Sequence, residues 1–176
     1  WAFVPSWFTA GVTVTPRGSL CAELPHYRAS LSQPLVATPL ALLSVDAGAT
    51  RSLCDVTAAG AIHVSRVESS ARLCMSNMTA AKGVGVAETL ENATVLLRGV
   101  WCGGADVVLG SAAAGSAVVL TSMAARRVTL PSLGRGARCS LANATASQEV
   151  TVGTLSSGNV VLLTDGIAGE HDKCFA

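Results

Sequence analysis

Short apolar triplets recur along the 176-residue sequence at nearly constant intervals, and this constrains the fold more than any other feature. One series begins at Leu53, Leu73, Val95, Val118, Cys139 and Val160, with intervals of 20, 22, 23, 21 and 21 residues. A second series lies between its members: Ile62-His63-Val64, Val84-Gly85-Val86, Val107-Val108-Leu109, Val128-Thr129-Leu130 and Val150-Thr151-Val152. In the second series the outer residues are apolar and the middle one varies, which is the period-two pattern of a strand with one buried face. Four residues after each start of the first series lie Thr57, Asn77, Gly99, Ser122, Asn143 and Thr164, all small or turn-forming. The unit is therefore strand, turn, strand, turn.

A fixed period near 21 residues predicts an all-β solenoid, in which each coil buries its apolar face only by stacking on its neighbours. The triplets and the turn column resemble the coils of parallel β-helix proteins of the pectin-lyase-like kind, closely from Leu53 to Thr164 and loosely over residues 10 to 52. The resemblance lies in periodicity and carries no catalytic motif. By strand spacing alone, the rival is an antiparallel β-sandwich. One domain is expected: a cap over 1–30, repeats over 31–165 and a polar C-terminal tail over 166–176. Four of the six Trp and Phe residues fall within residues 1–8 and five of the six Pro within the first 39, which suits a segment that closes the open end of a core.

Half of the residues are hydrophobic and only 23 carry charge, 12 basic against 11 acidic. That composition excludes a disordered tail, and a net charge of +1 excludes a general attraction to nucleic acid. Residues 107–125 are uncharged and long enough to span a bilayer as a helix. They read instead as two β pulses, Val107-Val108-Leu109 and Val118-Val119-Leu120, around a turn of small residues.

Six widely spaced cysteines, Cys21, Cys54, Cys74, Cys102, Cys139 and Cys174, lack metal-site spacing and predict three disulfides. Cys54 and Cys74 share a phase in this register, which would set them about one strand spacing apart in stacked coils. Asn77-Met78-Thr79, Asn92-Ala93-Thr94 and Asn143-Ala144-Thr145 are N-glycosylation acceptors and use three of the four Asn. With an opening Trp1 and no basic-then-apolar leader, the sequence reads as a mature form or an excised ectodomain, extracellular or in the secretory pathway.

No constellation for catalysis is visible. Asp55, Asp106 and Asp165 fall in different repeats, no Gly-x-Ser-x-Gly elbow is present, and His63 reads as an outward, solvated imidazole in a strand. His171, between Glu170 and Asp172, is a weak metal candidate. Neither an enzyme, a metal nor a cofactor is expected.

Charge is segregated along the sequence. Residues 107–148 contain no acid but carry Arg126, Arg127, Arg135 and Arg138, whereas 149–176 carry four acids and one Lys. The arginines are candidates for a sulfated glycan or an acidic protein surface, although the repeat assigns 126–127 and 135–138 to different turns. Trp101, next to Arg98 and in the longest coil, is the candidate anchor for a protein partner; a ring folded over a local disulfide is its structural alternative. The middle residues of the first series, Cys54, Cys74, Leu96, Val119, Ser140 and Val161, form an outward stripe that wants a cap, a subunit or a partner. Together these features predict a non-catalytic secreted, cell-surface or virion glycoprotein that binds a partner protein, as in receptor engagement or immune modulation. The Ala-, Gly- and Arg-rich bias points to a GC-rich source such as a large DNA virus or a protist. A glycan-processing enzyme and a glycan-binding or structural coat protein are the alternatives.

Overall fold

The computed structural model describes residues 12–14 and 40–165, with side chains from residue 44 onward. The fold is all-β, with parallel strands stacked as a β-solenoid of about six turns some 22 residues apart. The strands are β1 (Val12–Val14), β2 (Leu40–Val45), β3 (Thr50–Ala58), β4 (Ile62–Val67), β5 (Arg72–Ala80) and β6 (Val84–Thr89). They continue with β7 (Thr94–Trp101), β8 (Val107–Ala112), β9 (Ala117–Leu130), β10 (Ser132–Leu133), β11 (Arg138–Val152) and β12 (Val160–Thr164). On one side β3, β5, β7, β9, β11 and β12 pair in succession; on the other, β2, β4, β6 and β8 do so, continued by the C-terminal part of β9. All of these pairs are parallel, which excludes the antiparallel sandwich; only β1 runs antiparallel, against β3.

Two columns of left-handed backbone set the period. The first corner is Gly48, Ser70, Asn92, Gly115, Gly136 and Gly158, and the second is Asp55, Asn77, Gly99, Ser122, Asn143 and Asp165, all with positive φ. Positive φ is costly for most side chains and tolerated by Gly, Asn and Asp, so these residue types recur where the chain must turn. Intervals are 22, 22, 23, 21 and 22 in both columns, and the two corners are always seven residues apart. The expected turn column matches the second corner at Asn77, Gly99, Ser122 and Asn143 but misplaces its ends, where Asp55 and Asp165 turn instead of Thr57 and Thr164.

The same end errors affect the first triplet series. Ladder pairing aligns Leu73 with Val95, Val118, Cys139 and Val161, and the first coil supplies Arg51, not Leu53. Arg51 disguises the phase because an ion sits in an otherwise apolar column. It can do so at the end of the stack, where its side chain remains 33 % exposed and lies 3.9 Å from Asp46.

Inside the coils the buried columns are aliphatic, for example Leu53, Met75, Leu97, Leu120 and Leu141, with no aromatic ring among the described core residues. Each such side chain contributes roughly 1.5–3 kcal/mol by leaving water. Beside the first corner a tight column of Ala71, Ala93, Ser116 and Ala137 is essentially inaccessible, which accounts for part of the small-residue excess. Corner amides bond to the next coil, Ser70 N–H to Glu91 O at 2.9 Å and Asn92 N–H to Ala114 O at 3.1 Å. The turns therefore stack as the strands do.

Residues 107–125 fold as β8 and the start of β9, and among the described residues no helix is long and apolar enough to cross a membrane. The outward stripe also shifts with the register: its column is Ser52, Cys74, Leu96, Val119, Ser140 and Leu162, whereas Val161 faces inward and Cys54 joins the next outward column. Ser52 and Cys74 are buried within the chain itself, and Leu96 and Val119 are half-buried.

The disulfide framework is corrected in the described part. Cys54, Cys102 and Cys139 are free thiols, whereas Cys74 is disulfide-bonded, and no disulfide joins two described cysteines. Cys54 aligns with Ser76 and Cys74 with Ser52, so the two sulfurs expected to pair are two residues out of register. Cys102 and Cys139 occupy core positions, filling space as small apolar groups. Cys21 and Cys174, the tail over 166–176 with His171, and the cap over 1–30 apart from β1 lie outside the described residues.

Candidate functional site

Coil length varies at one place. From each second-series strand to the next first corner is always eight residues, as from Ile62 to Ser70 or Val107 to Gly115. From the second corner to the next second-series strand the separations are 7, 7, 8, 6 and 7. This third corner alone absorbs insertion and deletion. Residues 102–106 form its longest loop, and in the following coil β9 runs through the corner without interruption. Loops on a regular scaffold are where binding chemistry can vary without disturbing the core.

An open hollow of about 540 Å³ lies at this corner, lined by His63, Lys82, Gly83, Gly85, Asp106, Val108 and Arg126 among others. Gly85 creates the notch. It lies between His63 and Val108 in an outward column, and an ideal Cβ there would fall 3.1 Å from His63 Nδ1. Gly83 is required by the turn itself: its φ is +102°, and its missing Cβ would collide with the backbone oxygen of Asp106.

Arg126 donates through Nε and Nη2 to the two carboxylate oxygens of Asp106, at 2.8 and 2.9 Å. This bidentate bond holds the Asp106 carboxyl below its ordinary range, with a smaller contribution from Arg127. It also fixes the guanidinium at the edge of the hollow, with Nη1 not used in the pairing. Lys82 is exposed and forms no ion pair among the described residues.

The four arginines of the acid-free run do not form one patch. Arg126 is neutralised by Asp106 from the preceding coil, and Arg127 donates to Gln148 at 3.0 Å and stands in register with Glu149. Arg135 lies in the turn at the first corner and Arg138 opens β11 beyond it, both exposed. A separation of about one coil in sequence is contact in space, so counting charge along the sequence missed these neighbours. Lys82 was missed for the same reason, and His63 and Asp106, read as isolated residues, were not brought together with it. Folding Asp106 and Arg126 onto a common coil would have exposed their pairing.

Trp101 ends β7 with 46 % of its surface exposed, the only Trp, Phe or Tyr among the residues whose side chains are described. Its ring rests over Gly99, where an ideal Cβ would come within 3.1 Å of Cζ3. The expected alternative, a ring over a local disulfide, does not hold, because Cys102 is a free thiol. Arg98 is exposed on the other side of the Gly99 bend, in register with Ser76 and Thr121.

All three sequon asparagines are exposed and have positive φ: Asn77 and Asn143 at the second corner, Asn92 at the first. Asn77 Nδ2 donates to Asp55 Oδ1 at 2.6 Å, and Asn143 Nδ2 to Ser122 Oγ at 3.4 Å. Backbone conformation is thus an independent reason for Asn at each site. Among the described residues no group of three His, Cys, Asp or Glu is placed to hold a metal ion. The chain matches no model of a known protein family, no curated protein and no solved structure, so its likeness to β-helix proteins is one of architecture.

Proposed function

We propose that the chain is a non-catalytic binding domain of a secreted, cell-surface or virion glycoprotein, and that the exposed Trp101 face engages a partner protein. The observation that carries this reading is Trp101. In a chain with 4 % aromatic residues, a large ring spread over a glycine on the outer face is available to a partner and contributes nothing to the aliphatic core. Stacked, mutually bonded turns give that ring a stiff platform, which lowers the ordering cost of association. Arg98 supplies a charged neighbour across the bend.

Comparative capture tests the reading: wild-type protein and the Trp101→Ala variant are immobilised and exposed to serum and cell-surface extracts. A partner retained by the wild type and lost by at least tenfold with Trp101→Ala, but kept by Arg135→Ala, is the expected result. Equal retention by Trp101→Ala overturns the assignment of the face. For the glycoprotein part, secretion from eukaryotic cells should add glycan mass at Asn77, Asn92 and Asn143, removed by endoglycosidase. Thr145→Ala should remove the Asn143 increment without altering the fold, since Thr145 is exposed. An unmodified secreted chain refutes the glycan assignment.

A further inference from the structure

The hollow around Gly85 presents a second kind of chemistry, independent of Trp101. Its polar rim carries one uncompensated cation: Lys82 has no acidic partner among the described residues, whereas Arg126 is paired with Asp106, which holds its guanidinium in place. The His63 imidazole leans over Gly85, and Ala61, Ala81 and Val108 add apolar wall. Val108 is itself 45 % exposed. At about 540 Å³ the space falls within the range typical of small-ligand sites.

We infer that this hollow binds a sugar residue bearing an oxyanion, a sulfate or a carboxylate, with Lys82 and the outer nitrogen of Arg126 on the charged group and Val108 against the C–H face of the ring. The sheet argues for a compact ligand over an acidic peptide. The flanking strands β4, β6 and β8 are each paired with strands on both sides, so no free edge is available to an extended chain. Lys82 attracts the anion as a point charge, and the preorganised guanidinium fixes its orientation. In the column His63, Gly85, Val108, Thr129 and Thr151 only Gly85 lacks a side chain, and the His63 ring leans over it to form one wall.

The experiment is an amide-shift titration of the intact chain with a sulfated disaccharide, an unsulfated uronate disaccharide, a neutral disaccharide, inorganic sulfate and a hexaglutamate peptide. Saturable shifts at Lys82, Gly85 and Asp106 with either acidic disaccharide are expected, and whichever of the two binds more tightly identifies the oxyanion. Lys82→Ala should weaken binding at least fivefold, and Gly85→Val, which fills the notch at a position without positive φ, should abolish it. Arg135→Ala should leave it unchanged. The inference is overturned if neither acidic disaccharide saturates the site or if the neutral sugar, sulfate alone or the peptide binds as tightly. It is also overturned if Arg135→Ala weakens binding as much as Lys82→Ala. Because Lys82 lies exposed in a turn, its variant keeps the test valid should Gly85→Val fail to fold.

Discussion

The first and second corners and the third corner do different work on the same coils. At the first two, every coil places a positive-φ residue at an invariant seven-residue separation; the first-corner amides bond from coil to coil, and at the second corner Asn77 and Asn143 donate side-chain bonds to the preceding coil. At the third, coil length changes by one residue in each direction, a loop over 102–106 is exposed in part, and the hollow opens. A solenoid tolerates irregularity only where the displaced backbone can reach water and adjacent strands keep their pairing. The rigid corners thus define the period, and the remaining one is left to vary.

The largest test of that contrast is a pair of glycine substitutions. Gly115 has φ +68° at the first corner, and an ideal Cβ would collide with Asn92 Oδ1; Gly103, at the third corner, lacks positive φ and has nothing within 4 Å. Gly115→Val should cost about 3 kcal/mol in denaturant unfolding, combining left-handed strain with the displaced Asn92 side chain. Gly103→Ala should change stability by less than about 0.5 kcal/mol. Similar losses at both positions would remove the distinction between the corners.

Buried thiols sharpen the comparison at the next level, since Cys139 stands in a core column fixed by the rigid corners and Cys102 begins the variable loop. Burial pushes both up to about 11; for Cys102 a hydrogen bond with the Val84 backbone opposes the shift and the Asp106 charge adds to it. Above pH 9 the unfolded thiols ionise while the folded ones keep their protons, so stability falls as pH rises from 9 towards 11. The expected loss is about 2 kcal/mol per thiol, and Cys139→Ala should flatten the curve by one thiol's share. A thiol reagent should label neither residue until the chain unfolds. Labelling of folded Cys102 alone would mean that the third corner opens locally.

How much of this could be read beforehand follows from what each residue type signals. Alternation in Ile62-His63-Val64 and its counterparts marks strands because the pleat has period two, and Asn77, Gly99 and Asn143 mark a bend because few residues accept positive φ. The first corner was missed although Gly48, Gly115, Gly136 and Gly158 keep the same period, because Ser70 and Asn92 interrupt the glycines. Arg51 hid the phase of the first coil, and that error alone made Cys54 and Cys74 appear to be neighbours. The hollow was not visible because its parts, His63, Lys82, Asp106 and Arg126, come from four successive coils and become neighbours only once the register is known.

The smallest effect concerns the ion pair at the variable corner. Arg126 holds the Asp106 carboxyl below its ordinary value, so the pair favours the folded state above the unfolded carboxyl's pKa, and that contribution is lost as pH falls through the folded one. Both partners reach solvent, so salt should screen the effect, and the global stability change on Arg126→Gln should be small beside the glycine and thiol effects. Its local consequence should be measurable. In Arg126→Gln the Asp106 carboxyl carbon should titrate at higher pH than in the wild type, and the difference should shrink in high salt. An unchanged titration would mean that the two side chains are not joined in solution. The third corner would then lack the fixed ion pair around which its hollow is organised.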